Sequence, residues 1–167
     1  DIDPLFGKLD DFKVLLAEAH KRGIKILMDL VLNHTSDQHP WFQESRDKNS
    51  DKADWYIWHP GINGKKPNNW ICGLELKNAW WWDEKRGEYY LGTFTRFQPE
   101  VNFRNPELKK EMYNVVKFWL DLGVDGFRMD VVNWFIKDDQ FRSNPLSLKA
   151  FPDLFQHHLY DRNRPET

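Results

Sequence analysis

The run from Ile24 to Leu32 is apolar at nearly every position, broken only by Lys25 and Asp29. It is too short for a core helix, and a strand of this kind is buried on both faces, as in parallel sheets covered by helices. Side chains alternate along a strand, so Ile24, Ile26, Met28, Leu30 and Leu32 share one face while Leu27, Asp29, Val31 and Asn33 share the other. A second such run follows at Gly126-Phe127-Arg128-Met129-Asp130-Val131-Val132. Here Arg128 and Asp130 point one way, and Phe127, Met129 and Val131 the other. A helical pattern precedes each strand. Asp10 and Asp11 can cap a helix carrying Phe12, Leu15, Leu16 and Ala19, with Gly23 just past its end. Asn105-Pro106-Glu107 is a cap, a first-turn proline and an acid, followed by Val115, Val116, Trp119, Leu120 and Leu122 up to Gly123. Helix, strand, helix, strand with buried parallel strands predicts the α/β class.

Between the two units the periodicity vanishes. Residues 36–102 are rich in Trp, Asn, Gly, Pro and charge, which is too long for a bare loop and predicts a small subdomain of short strands. Gly87 to Phe94 reads as one of them. Phe135 to Tyr160 is expected to be loop-rich, with one or two short helices. Aromatic residues make up 16% of the chain and include nine Trp. Rings in polar surroundings can mark a sugar-binding surface, because ring faces stack on C–H faces, but composition alone favours the packing of a large core.

Charge and cysteine content exclude several classes. With 24 basic against 26 acidic residues, the net charge of -2 argues against a nucleic-acid or anionic-membrane partner. No run approaches the roughly 18 to 20 apolar residues of a membrane span. One cysteine, Cys72, rules out an internal disulfide framework and a cysteine zinc site. His34 and His39 lack the spacing of a zinc motif. Gly61 to Lys66 lacks that of a phosphate loop, and the sequon Asn33-His34-Thr35 falls at a buried strand end. The chain begins at Asp1 without an initiator Met and stops at Thr167 without a terminal element, so it is expected to be a section of a larger protein.

An arginine and an aspartate set in an apolar strand need a reason, since desolvating them is costly. One reason is a structural ion pair; another is an active-site carboxylate kept ionised by a cation. Asp29, Asn33 and His34 lie at the C-terminal end of the first strand, and Arg128 and Asp130 at that of the second. In α/β barrels that face gathers the catalytic groups. A full barrel takes about 250 residues, so this chain would carry about two of its eight strands. Carboxylates suit sugar chemistry, where a positive oxocarbenium-like centre develops.

These residues are familiar. Asp29-Leu30-Val31-Leu32-Asn33-His34-Thr35-Ser36 and Gly126-Phe127-Arg128-Met129-Asp130-Val131 resemble two signature regions of the α-amylase superfamily, glycoside hydrolase family 13. Gln98-Pro99-Glu100-Val101-Asn102 resembles a third, usually Gln-Pro-Asp-Leu-Asn. His39-Pro40-Trp41-Phe42, Asp54-Trp55-Tyr56-Ile57-Trp58, Pro67-Asn68-Asn69-Trp70 and Asn163-Arg164-Pro165-Glu166 resemble the oligo-1,6-glucosidase and α-glucosidase branch. The resemblance covers essentially the whole chain.

It implies part of a TIM (β/α)8 barrel, about strands 3 and 4 with their flanking helices. Residues 1–35 would be the first part of the barrel, 36–102 the inserted domain B, and 103–167 the barrel continued, truncated at both ends. It implies a retaining α-glucosidase acting on short gluco-oligosaccharides. Asp130 would be the nucleophile, with Arg128 supporting its ionised state. Asp29 and His34 would line the subsite of the non-reducing glucose, approached by Phe94 and Gln98 from domain B. The general acid and a later clamping aspartate are expected beyond Thr167, Glu166 not being that acid, so the chain alone is expected to be inactive. Val131 is the residue type of α-1,6-acting relatives. The alternatives are a transglycosylase or isomerase on the same scaffold, and a non-catalytic sugar-binding or transporter-associated protein. No metal or cofactor is called for, although family members often bind calcium. The expected partner is an oligosaccharide, in a cytoplasmic setting, with neither nucleic acid nor membrane involved.

Overall fold

The computed structural model describes residues 2–148 and 156–167. In chain order its elements are α1 (Leu9–Lys21), β1 (Leu27–Leu30), α2 (Pro40–Ser45), β2 (Trp58–His59), β3 (Ile71–Cys72), β4 (Lys77–Asn78), β5 (Trp80–Asp83), β6 (Glu88–Leu91), α3 (Pro106–Asp121) and β7 (Gly126–Met129), with a 3-10 turn at Val132–Trp134. They form two compact units, Asp1–Leu30 with Lys110–Asp130, and Val31–Lys109 with Val131–Thr167.

In the first unit β1 and β7 pair in parallel, with Asp29 opposite Arg128. Asp11 accepts the Lys8 N–H at 2.8 Å, closing the start of α1, and Gly23 ends it at φ 71°, a left-handed value that suits glycine. Asn105 caps α3 by accepting the Leu108 N–H at 3.0 Å. Phe12 and Trp119 meet edge to face, 5.6 Å apart, joining α1 to α3. Asp125 ties the entry of both strands together. It accepts from the Ile26 N–H at 2.9 Å, Lys25 at 2.8 Å and His20 at 2.7 Å. Lys25 first, then the Ile26 amide and His20, hold its carboxyl below the usual carboxylate range.

Two expectations are corrected here. The strand read over Ile24 to Leu32 pairs only from Leu27 to Leu30. Nor are the strands buried on both faces: Leu27 is 67% exposed and Met129 44%. The apolar run has the composition of a strand with neighbours on both edges, whereas among the described residues β1 and β7 pair only with each other, so the ladder and the burial stop together.

The second unit is built on a three-stranded antiparallel sheet, β2-β6-β5, and a β3–β4 hairpin. Its core gathers Ile57, Trp70, Cys72, Ala79, Trp80 and Leu91, so Trp70 and Trp80 are packing residues rather than a sugar platform. Side-chain amides replace the missing ladders. Asn68 Oδ1 accepts the Trp70 N–H at 3.1 Å and the Trp80 Nε1–H at 2.8 Å, and Asn78 Nδ2 donates to the Asn68 carbonyl. Each satisfies a polar group that the short ladders leave unpaired, the Trp80 indole N–H among them. Among the described residues Phe135 to Tyr160 is loop-rich, with a bridge between Leu146 and Gln156; the one or two short helices expected within that stretch have no fixed bounds, and residues 149–155 lie outside the described residues.

Candidate active site

The six residues singled out above fall into two groups, one in each unit. In the first unit the parallel register brings Asp29 and Arg128 side by side. Arg128 Nη1 donates to both oxygens of Asp29, at 2.7 and 3.0 Å, and lies 3.0 Å from Asp130 Oδ1. The expected Arg128–Asp130 pair is thus one arm of a bridge in which one guanidinium holds two carboxylates. Asp29 first, by hydrogen bond and charge, then Asp130, raise the Arg128 pKa above its ordinary value. The side chains of Arg128 and Asp29 are 65% and 57% exposed, that of Asp130 24%. The desolvation cost anticipated for these charges is therefore small, and a pair this open contributes little to stability. What it does is aim: two carboxylates that would repel each other share one cation and face the same way.

In the second unit His34 bridges Glu100 through its backbone. Gln98 Nε2 and His34 Nε2 lie 3.0 Å apart, in hydrogen-bond contact. The Phe94 ring lies 5.5 Å from the His34 ring. Val31, His34, Thr35, Ser36, Leu74, Thr95, Phe97 and Gln98 line an open hollow of about 640 Å³. An imidazole, an amide and an aromatic face together suit a hydroxylated ring: acceptors and donors for its hydroxyls, and a face for its C–H side.

Two residues that sequence reasoning did not select act on Phe94. Cys72 Sγ–H donates to the Phe94 carbonyl at 2.8 Å, and Trp134 packs on its ring at 5.3 Å. Trp134 follows Asp130 by only four residues, a proximity that could have flagged it; nothing in the sequence flags Cys72. Beneath His34, Glu100 and Lys137 form an ion pair at 2.8 Å, with side chains 1% and 3% exposed. This pair takes up the one carboxylate of the Gln98 to Asn102 motif with an ammonium. Among the described residues no three His, Cys, Asp or Glu side chains converge as a metal site would need.

The sequence profile of the alpha-amylase catalytic domain matches residues 1–167. This chain belongs to the alpha-amylase family. The chain is 56% identical to an oligo-1,6-glucosidase of Parageobacillus thermoglucosidasius over 82% of its own length and 24% of the relative's. It is 45% identical to a probable alpha-glucosidase of Rhizobium meliloti strain 1021, over 99% of this chain and 32% of that one. The crystal structure of the alpha-glucosyl transfer enzyme XgtA superposes with a TM-score of 0.92 at 44% identity, over 99% of this chain and 33% of that structure. The chain thus spans about a quarter to a third of the length of the curated relatives it matches. Its fold is α/β, a section of the family's (β/α)8 barrel. Among the described residues no helix is long and apolar enough to cross a membrane.

Proposed function

We propose that the protein to which these residues belong is a retaining α-glucosidase of short gluco-oligosaccharides, favouring α-1,6 over α-1,4 bonds, with Asp130 as its nucleophile. Residues 1–35 and 103–167 would belong to its barrel, and 36–102 to domain B. The observation that carries this reading is the Arg128 bridge to Asp29 and Asp130, in a chain 56% identical to an oligo-1,6-glucosidase. On this reading Arg128 orients Asp130, and Asp29, His34, Phe94 and Gln98 take the glucose-binding roles that the family resemblance gives them. The Asp130 carboxylate attacks the anomeric carbon as the bond to the leaving oxygen breaks. That oxygen takes a proton from a general acid outside these residues. The same acid group, now a base, draws a proton from water, which displaces Asp130 with a second inversion and so gives net retention.

Likeness to an alpha-glucosyl transfer enzyme and to the trehalulose synthase MutB favours a second reading, in which a sugar hydroxyl replaces water as acceptor. Product analysis at high substrate concentration separates the two: glucose alone means hydrolysis, and new oligosaccharides or isomers mean transfer. Both require the same nucleophile. Asp130→Asn in the full-length protein is expected to lower kcat by at least about 10⁴-fold, with an unchanged circular dichroism spectrum. Turnover within tenfold of the unaltered protein would refute the role given to Asp130.

A further inference from the structure

The buried Glu100–Lys137 pair reaches in two directions, and each end stops at a segment that carries an aromatic ring. Glu100 Oε2 lies 2.8 Å from Lys137 Nζ, while its other oxygen, Oε1, accepts the Thr93 N–H at 3.2 Å. β6 stops at Leu91, so the Thr93 amide is met by a side chain instead of a ladder. Lys137 Nζ in turn donates to the Trp134 carbonyl at 2.7 Å and lies 5.0 Å from the Trp134 ring. One carboxylate and one ammonium thus tie Thr93 to Trp134. Next to Thr93 is Phe94, whose ring meets Trp134 at 5.3 Å and His34 at 5.5 Å. The Glu100 backbone is itself fixed. Its N–H donates to the Leu91 carbonyl at 2.9 Å, its carbonyl accepts the Ile57 N–H at 3.1 Å, and it bridges His34.

Stability does not call for such a pair. Desolvation offsets most of what two buried charges gain from each other, and apolar side chains of similar volume in their place are often neutral or stabilising. What the charges add is a single arrangement, since both are satisfied only when the segments at Thr93 and Trp134 stand in one relation to each other. We propose that Glu100 and Lys137 are positioning residues, whose ion pair sets the Phe94 ring against Trp134 and His34 so that it meets the C–H face of the glucose already oriented. The proposal rests on the α-glucosidase reading and on the glucose-binding role given to Phe94 within it. With side chains 1% and 3% exposed, neither residue touches the sugar; both act through one ring. Preorganising a contact that holds the sugar throughout the reaction is expressed in KM.

The test neutralises both charges at once in the full-length protein, Glu100→Gln with Lys137→Met, which keeps the volume and the acceptor for the Thr93 N–H and leaves no unpaired charge behind. The double variant is expected to keep its circular dichroism spectrum while KM for p-nitrophenyl α-glucoside rises about tenfold and kcat stays within about threefold. Phe94→Leu alone should raise KM by a similar factor. All three substitutions together should leave KM within about twofold of Phe94→Leu, because the pair then has no ring to place. An unchanged KM in the double variant overturns the proposal, and so do effects that multiply to about a hundredfold, as those of independent sites would. Should the neutral pair not fold, Glu100→Asp keeps both charges but is one carbon too short to span Thr93 and Lys137, and the same comparison with Phe94→Leu decides. If Phe94→Leu alone leaves KM unchanged, the role of Phe94 falls and this proposal with it, while the reading of Asp130 stands.

Discussion

Val131 follows the proposed nucleophile with φ 40° and ψ 39°, in the left-handed region. Asparagine and glycine adopt that conformation readily, whereas a β-branched side chain is crowded there, at a cost of order 1–3 kcal/mol. Strain beside the proposed nucleophile is a reason for the side chain to be kept for function, and the proposed α-1,6 preference would supply one. The two effects separate in Val131→Asn. Urea unfolding of the full-length variant is expected to show a gain of about 1 kcal/mol as the strain is relieved. The isomaltose-to-maltose ratio of kcat/KM should fall at the same time, by a factor of about 10, since a pocket difference of methyl size is worth about 1–3 kcal/mol. A maltose preference already present in the unaltered protein would sink the linkage reading. Asp29, Arg128 and Asp130 were legible because charge in an apolar strand stands out. Their sharing of one guanidinium was not, because it follows from the register of β1 against β7, which neither run specifies alone.

Elements were readable where a physical pattern runs over many residues. Caps and 3.6-residue periodicity marked α1 and α3, and apolar runs marked β1 and β7. The subdomain within residues 36–102 could be anticipated but not drawn, because strands of two residues such as β2, β3 and β4 have no periodicity to detect. They are held by side-chain bonds that only the fold brings together. His59 is one such residue: its Nδ1 accepts the Gly61 N–H at 2.9 Å as the chain leaves β2. That bond requires an unprotonated nitrogen. Burial lowers the His59 pKa below its ordinary 6.5, with Glu88 opposing the shift. The unfolded chain therefore takes up its proton first as the pH falls. Stability is full above about 6.5 and declines beneath it until the pH has passed the folded-state value. Urea midpoints of the full-length protein should drop between pH 7.5 and pH 5.5. In His59→Asn, whose amide oxygen offers a non-titrating acceptor at the same spacing, the drop should shrink. An equal drop in both would remove His59 from the account.

At the scale of the whole molecule, the exposed apolar side chains of β1 and β7 ask for neighbours. Leu27 and Met129 are residue types that a barrel strand buries, and the relatives that share this fold are three to four times as long as this chain. In the complete protein those faces are expected to be covered by the adjoining strands and helices. A single substitution then has opposite consequences in two contexts. Met129→Ser in the full-length protein should cost about 2–5 kcal/mol, the usual toll of truncating a buried side chain. In residues 1–167 expressed alone it should change the unfolding free energy by less than about 0.5 kcal/mol, as surface substitutions do, while reducing the binding of an apolar dye such as anilinonaphthalene sulfonate. The same short chain should turn over no p-nitrophenyl α-glucoside, because Asp130 would act there without a proton donor for the leaving oxygen. Equal destabilisation in both contexts would mean that Met129 is never buried. Turnover by the short chain would mean that the proton comes from within it, and the division of the carboxylate pair between this segment and the rest of the barrel would have to be abandoned.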